Sequence, residues 1–276
     1  MIERIDSLPP IPIVAQKILS IKINTDEGEQ VLYKIIEKDP SIMSKIIGLS
    51  NSPVFGTGRK ILTLHDAATL LGTKRIKMIA LSLAMMASVD KKPKGLLDID
   101  GLWKHSLTIA LTMDTLAGYM PKDRRPPEEE IYLAGLLHDI GYLALCYIDA
   151  SLCDQFCMRL AAQPNRSVAE IEAEMLKTNH HELGAELGEH WGLPESIVAV
   201  IRGHDNPNNS HPQTHHSIIA ISALAAKLLP TFRDREVDHA NIGDEEWHSL
   251  GIDPIFADEI KTKVQMHTEQ VSGISI

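Results

Sequence analysis

Apolar residues along this chain recur at intervals of three and four, the spacing that gathers side chains on one face of a helix. No convincing run alternates in the manner of a half-buried strand, so the pattern predicts an all-α protein. Leu32, Ile35 and Ile36 form one stripe, and Asp39-Pro40 then supplies a cap followed by proline at a first helical position. The next stripe is Ile42, Met43, Ile46 and Ile47. Thr73 is read as the cap of a longer helix whose stripe of Ile76, Ile79, Ala80, Leu83 and Met86 makes it a central core element ending near Val89.

From Asp90 to Gly101 the chain turns abruptly charged, with Lys91-Lys92-Pro93-Lys94-Gly95, and this marks a connection between lobes. Residues 1–90 are therefore expected to form an N-terminal helical lobe, 91–101 a connection, 102–230 a second helical bundle and 231–276 a C-terminal helical extension. In the bundle, Leu102 to Met120 reads as a helix. Pro121 to Pro127 reads as an exposed loop carrying Arg124-Arg125, leading into a helix through Tyr132 and Leu136. Ser167 with Glu170 has the spacing of a capping box. His181 to Trp191 offers Gly184, Ala185 and Gly188 as a small-residue face for close packing, and Gly192 and Pro194 end that helix.

A length of 276 residues accommodates two cores, and 44% apolar with 23% charged residues is ordinary for a globular protein. The formal charge of −10 disfavours bulk nucleic-acid binding, which draws on clustered Lys and Arg. The local basic run Lys74-Arg75-Lys77 reads as the solvated side of an amphipathic helix. Cys146, Cys153 and Cys157 are odd in number and lack paired CxxC spacing, so they are expected to be reduced core thiols. The N-terminus carries acids and runs into Pro9-Pro10, and no run of about 18 apolar residues occurs, so no membrane association and a cytoplasmic location are expected.

The chemistry concentrates in the second lobe. His138-Asp139 interrupts the apolar run Leu133-Ala134-Gly135-Leu136-Leu137, and His105 lies in Trp103-Lys104-His105-Ser106. An imidazole and a carboxylate side by side at the end of an apolar helix cost several kcal/mol in order of magnitude unless both find partners, and a cation satisfies both. His181 and His204 follow in similar settings. Nitrogen and oxygen donors without thiolates suit a divalent iron, manganese, cobalt or zinc ion, and no organic cofactor is indicated. Neighbouring helical residues point about 100° apart, so Asp139 can bridge toward a second ion while His138 holds the first. The remaining histidines are read as ordinary: His180, His215 and His216 sit in polar surroundings, and His65, His190, His211, His239, His248 and His267 lack a constellation.

Several motifs in order resemble the HDOD family, the HD-related output domains of bacterial signalling proteins. They are Leu8-Pro9-Pro10-Ile11-Pro12, Lys38-Asp39-Pro40-Ser41, Ser50-Asn51-Ser52-Pro53 and Ala67-Ala68-Thr69-Leu70-Leu71-Gly72, then Leu133 through Gly141, His181-Glu182-Leu183-Gly184, Trp191-Gly192-Leu193-Pro194 and Arg202-Gly203-His204. The resemblance spans residues 5 to 230. It implies an HD-domain-like bundle as the second lobe, related to HD phosphohydrolases and to the HD-GYP phosphodiesterases of cyclic di-GMP. It also implies His105, His138, Asp139, His181 and His204 as metal ligands.

Departures from the active relatives accompany the likeness. Ala223 stands where they carry a last aspartate, Tyr142 follows Gly141 where they carry a lysine, and Asp205 stands in place of a second histidine as a further candidate ligand. The resemblance thus implies a signal-transduction module with a protein partner and a degraded or weakly active metal site. The alternative is a metal-dependent phosphohydrolase acting on a nucleotide or phosphate ester, with His138 and Asp139 at its catalytic centre.

Overall fold

The computed structural model describes residues 8–56, 59–87, 95–205, 215–229 and 242–274. These residues are helical, with no strand among them. They fall into two compact units: one comprises the described parts of residues 1–10 and 89–264, the other those of 11–88 and 265–276. The charged run Lys91-Lys92-Pro93-Lys94 and two of the histidines read as ordinary, His211 and His239, lie outside the described residues.

In the smaller unit, α1 (Ile13–Ser20), α2 (Asp26–Glu37), α3 (Pro40–Ser50) and α4 (Leu64–Leu71) pack against α5 (Thr73–Ala87). Every residue of α5 from Ile76 to Met86 is buried, as its stripe predicts. Lys77 is buried with them, but its ammonium reaches the carbonyl of Ile21 at 2.7 Å, so the aliphatic stem lies inside while the charge finds an acceptor. The cap at Asp39 forms as expected, its carboxylate accepting from the amides of Ser41 and Ile42. Thr73 differs from its expected role: it lies inside α5, and its hydroxyl pairs with that of Tyr33 at 2.9 Å. Asn51 ties the end of α3 to the segment before α4, donating to the carbonyls of Ile47 and Ile61 and accepting from the Ile61 amide.

The larger unit runs α6 (Ile99–Tyr119), α7 (Glu128–Leu137), α8 (Ile140–Ile148), α9 (Ala150–Ala162), α10 (Val168–Met175), α11 (His180–His190), α12 (Glu195–Gly203), α13 (His216–Leu228), α14 (Asp244–Ser249) and the start of α15 (Ala257–Ser272). Helix α7 packs on α6 and α12, α11 on α8 and α12, and α13 on α6, α7 and α12. Two crossings depend on glycine. A Cβ at Gly135 would stand 2.5 Å from the Cα of Ala110, and one at Gly141 would stand 1.8 Å from the carbonyl oxygen of His180. Such approaches bring α6 against α7 and α8 against α11 at backbone contact, which is what draws the histidines of separate helices together.

The expected capping box at Ser167 and Glu170 is present. The indole N–H of Trp191 donates to the carbonyl of Pro9 at 2.8 Å, so the Trp-Gly-Leu-Pro turn pins the Leu-Pro-Pro segment to this unit. Arg124 and Arg125 lie on an exposed loop as expected, and they donate to the carbonyls of Ser249 and of Gly118 and Met120.

The cysteine expectation is overturned for two of the three. Cys146 and Cys153 form a disulfide across a separation of 7 residues, leaving Cys157 as the buried free thiol. Counting cysteines missed this because the turn from α8 into α9, capped by Asp149, sets the two Cα atoms 5.0 Å apart. Among the described residues no single helix is long and apolar enough to cross a membrane.

Candidate metal centre

The site forms where α7 ends. Helices α7 and α8 meet at a bend of 41°, and His138-Asp139 occupies the break. The break turns both side chains inward, and His138 and Asp139 are buried. His105 comes from α6, His204 from the end of α12, and His180 and His181 from the first turn of α11. The two oxygens of Asp139 serve different sides. Oδ2 lies 3.2 Å from Nε2 of His138 and 3.7 Å from Nε2 of His105. Oδ1 lies 3.4 Å from Nε2 of His204 and 3.6 Å from Nε2 of His180.

Two donor groups result, each with one ligand atom per residue within 4.8 Å of the others: His105, His138 and Asp139, and then His180, His181, His204 and Asp205. The second group includes a carboxylate of its own. Asp205 approaches His204 at 3.6 Å and His181 at 3.1 Å. All six sequence candidates, His105, His138, Asp139, His181, His204 and Asp205, thus lie in one cluster. His181 and Asp205 stand on its solvent side, Asp205 with a side chain 52% exposed.

His180 departs from its expected place in polar surroundings. It is buried and its Nε2 faces Asp139, whereas His181 reaches Asp205 instead. The flank Lys177-Thr178-Asn179 is polar, and that local pattern hid it. Asn179 caps α11 through the Glu182 amide, which makes His180 the first helical residue, and Lys177 at φ 59° turns the chain back toward α10. Two adjacent histidines just after an Asn cap point about 100° apart, so they sample different faces of α11; that was the available signal.

Tyr142 stands where the active relatives carry a lysine. Its ring stacks on His180 at 4.4 Å between centroids and on Phe156 at 6.3 Å. Ala223 is buried on α13, a helix of sequence HSIIAISALAAKL that contributes no carboxylate to the cluster.

Hydrogen bonds at the outer edge of the rings determine what the inner edges present. Nδ1 of His138 lies 2.9 Å from the carbonyl of Gly135, and Nδ1 of His204 lies 3.1 Å from that of Ile201. Nδ1 of His180 lies 2.7 Å from Oε1 of Glu172. Each partner is an acceptor, so each Nδ1 carries the proton, and the neutral ring then turns an Nε2 lone pair toward Asp139. Lone pairs facing carboxylate oxygens repel one another unless a cation or added protons lie between them.

The electrostatics carry the same mark. Burial pushes the His105 imidazole down, helped by neighbouring His138, to about 4. Burial also works against a charged His138, but the adjacent Asp139 carboxylate outweighs it and raises the ring above its ordinary value. Burial pushes Asp139 up, and His138 with the surrounding histidines overcomes this and holds the carboxyl well below the ordinary range. For the half-exposed Asp205, the partial desolvation of its carboxyl is outweighed by the His181 hydrogen bond and by His204, and the carboxyl is held low. The raised His138 shows that positive charge is favoured beside Asp139, and a divalent ion would supply it in place of a proton, leaving neutral imidazoles and ionised carboxylates as donors, with outer-edge hydrogen bonds that orient the rings.

Relatives with known structures share this architecture. An HDOD domain protein of unknown function from Geobacter sulfurreducens superposes with a TM-score of 0.78 at 22% identity, covering 98% of this chain and 94% of that one. A Marinobacter aquaeolei VT8 protein, provisionally named for signal transduction, gives 0.74 at 26% identity over 98% of this chain and 61% of its own. A Shewanella amazonensis SB2B protein, provisionally named a phosphohydrolase, gives 0.69 at 20% identity over 98% and 97%. An uncharacterized protein of Treponema pallidum (strain Nichols) is 24% identical over 246 residues, which are 87% of this chain and 45% of that protein. The chain therefore spans less than half the length of that curated relative. The HDOD domain model matches residues 8–207, and the chain belongs to the HDOD domain family.

Proposed function

We propose that this chain is a signal-transduction module that binds a protein partner and holds one divalent metal ion as a largely structural centre. The observation that carries the metal reading is the convergence of three Nε2 lone pairs, from His138, His180 and His204, on the two oxygens of a buried Asp139. The ion belongs in the group of His180, His181, His204 and Asp205, with Asp139 at its edge, because that group owns a carboxylate. The group of His105, His138 and Asp139 has only the shared one. Its missing donor corresponds to Ala223.

A divalent ion held by these residues would polarise a phosphoryl oxygen and acidify a bound water, and a second ion beside it would help clamp the attacking and leaving oxygens. Two divalent cations about 4 Å apart repel by roughly 17 kcal/mol at an effective dielectric of 20, so their pairing depends on nearby negative charge. Here Asp139 and Asp205 are the carboxylates of the two groups. The signalling role rests on that shortage, on Tyr142 being committed to packing against His180, and on family membership. The second reading, a phosphohydrolase, rests on the intact His138-Asp139 pair.

Elemental analysis of protein prepared without a metal-binding tag tests the centre. About one equivalent of iron, manganese, cobalt or zinc is expected in the wild type, and much less in Asp139→Asn. Metal content equal in the two proteins would place any ion elsewhere.

A further inference from the structure

Glu172 has no counterpart among the candidate ligands, yet it is 1% exposed. It lies on α10, and its Oε1 faces two donors of one residue: the backbone amide of His180 at 3.1 Å and the ring Nδ1 of His180 at 2.7 Å. That amide is the first of α11, where unpaired N–H groups and the helix dipole favour a negative charge. A buried carboxylate so placed is satisfied by the helix start and the imidazole together.

We propose that Glu172 is a positioning residue for the metal centre, holding His180 with its proton on Nδ1 and its Nε2 lone pair aimed at Asp139. The proposal rests on the metal reading above. A carboxylate behind a ligating imidazole fixes the ring's tautomer and orientation and makes the opposite nitrogen a stronger donor. His138 and His204 have neutral carbonyls, those of Gly135 and Ile201, in the same position. His180 is thus the histidine of the three with an anionic partner behind it. Tyr142 completes the support, its ring lying 15° from parallel to that of His180, so the imidazole is fixed in plane by Glu172 and face-on by Tyr142.

The function of Glu172 is therefore to make His180 a stronger nitrogen donor than His138 or His204 and to bias the ion toward the group that includes Asp205. A carboxylate serving only to pack or cap α11 would act on folding and leave this donor unchanged.

The test uses the full chain, stripped of metal and titrated with cobalt(II) against a chromophoric chelator, for wild type, Glu172→Gln, His180→Ala and the double variant. Glu172→Gln is expected to weaken cobalt binding by about 10- to 100-fold and to shift the visible cobalt spectrum. The double variant is expected to bind no more weakly than His180→Ala alone, because the carboxylate acts through that ring. Nitrogen-15 spectra of the metal-free wild type should show His180 protonated on Nδ1, and Glu172→Gln should reduce that preference. Losses that add in the double variant, or unchanged cobalt affinity in Glu172→Gln, overturn the role of Glu172 and leave the metal reading standing. A wild type that takes up no cobalt overturns the metal reading itself.

Discussion

The carbonyl oxygen of His180 occupies the place where a side chain at Gly141 would begin, 1.8 Å from an ideal Cβ. Helices α8 and α11 meet there backbone to backbone, and the same contact seats His180 beside Asp139.

Gly141→Ala is therefore expected to force α11 away from α8. Overpacking of this kind costs about 3 kcal/mol or more, which corresponds to a drop of roughly 6–12 °C in melting temperature for a unit of this size. Cobalt affinity should fall with it, since His180 moves with α11. Gly48→Ala is the control: its Cβ meets nothing within 4 Å on the exposed face of α3, and replacing a helical glycine should stabilise by about 0.5–1 kcal/mol. Equal melting temperatures for wild type and Gly141→Ala would show that the crossing is looser than this geometry.

Why the sequence disclosed some of this and concealed the rest follows from where each signal resides. The stripe on α5, the cap at Asp39 and the box at Ser167 and Glu170 are local, set by residues within one or two turns. His138-Asp139 was visible because a polar pair in an apolar run contradicts its own neighbourhood. His180 has no such contradiction: its immediate neighbours are polar, and its burial comes from Glu172, Tyr142 and Asp139 on other segments. Thr73 follows the same logic in reverse, a good capping residue by type whose hydroxyl is taken by Tyr33. The fold class is written in periodicity; the membership of a site is written in long-range contacts.

The two donor groups should respond unequally to mutation. His204→Ala or Asp205→Ala removes a donor from the group expected to hold the ion, and either should lower cobalt affinity by at least about tenfold. His105→Ala removes a ring from the other group and should change affinity only a few-fold while leaving stoichiometry at about one. A His105→Ala protein that loses its ion while Asp205→Ala retains it would reverse the assignment of the two groups.

Thiol titration addresses the pair that counting cysteines misjudged. Protein denatured without reductant should expose one reactive thiol, Cys157, and denaturation with reductant followed by its removal should expose all three. Closing so short a loop stabilises by about 2–3 kcal/mol in the chain-entropy model, so Cys146→Ser should melt several degrees lower under oxidising conditions and match the wild type under reducing ones. Three reactive thiols in the untreated protein would restore the expectation of reduced side chains.

Catalysis is where the missing carboxylate should tell. The metal-loaded wild type is expected to hydrolyse cyclic dinucleotides and simple phosphodiesters poorly or not at all, because a second ion lacks the negative charge that would hold it beside the first. Ala223 is buried on α13, which packs against α6, α7 and α12, the helices that end at or carry His105, His138 and His204, and the resemblance puts the last carboxylate of the active relatives at this position. Ala223→Asp should therefore raise metal stoichiometry from about one toward two, and any gain in phosphodiesterase rate should appear in that variant first. Tyr142→Lys, the other reversion the resemblance suggests, should do the opposite of restoring activity, since Tyr142 is 6% exposed and stacks on His180. A lysine there loses the stack and buries an ammonium, which costs several kcal/mol unless paired. Turnover in the wild type that disappears in His138→Ala would displace the signalling reading in favour of the phosphohydrolase. Turnover confined to Ala223→Asp would locate the lost chemistry at one side chain on α13.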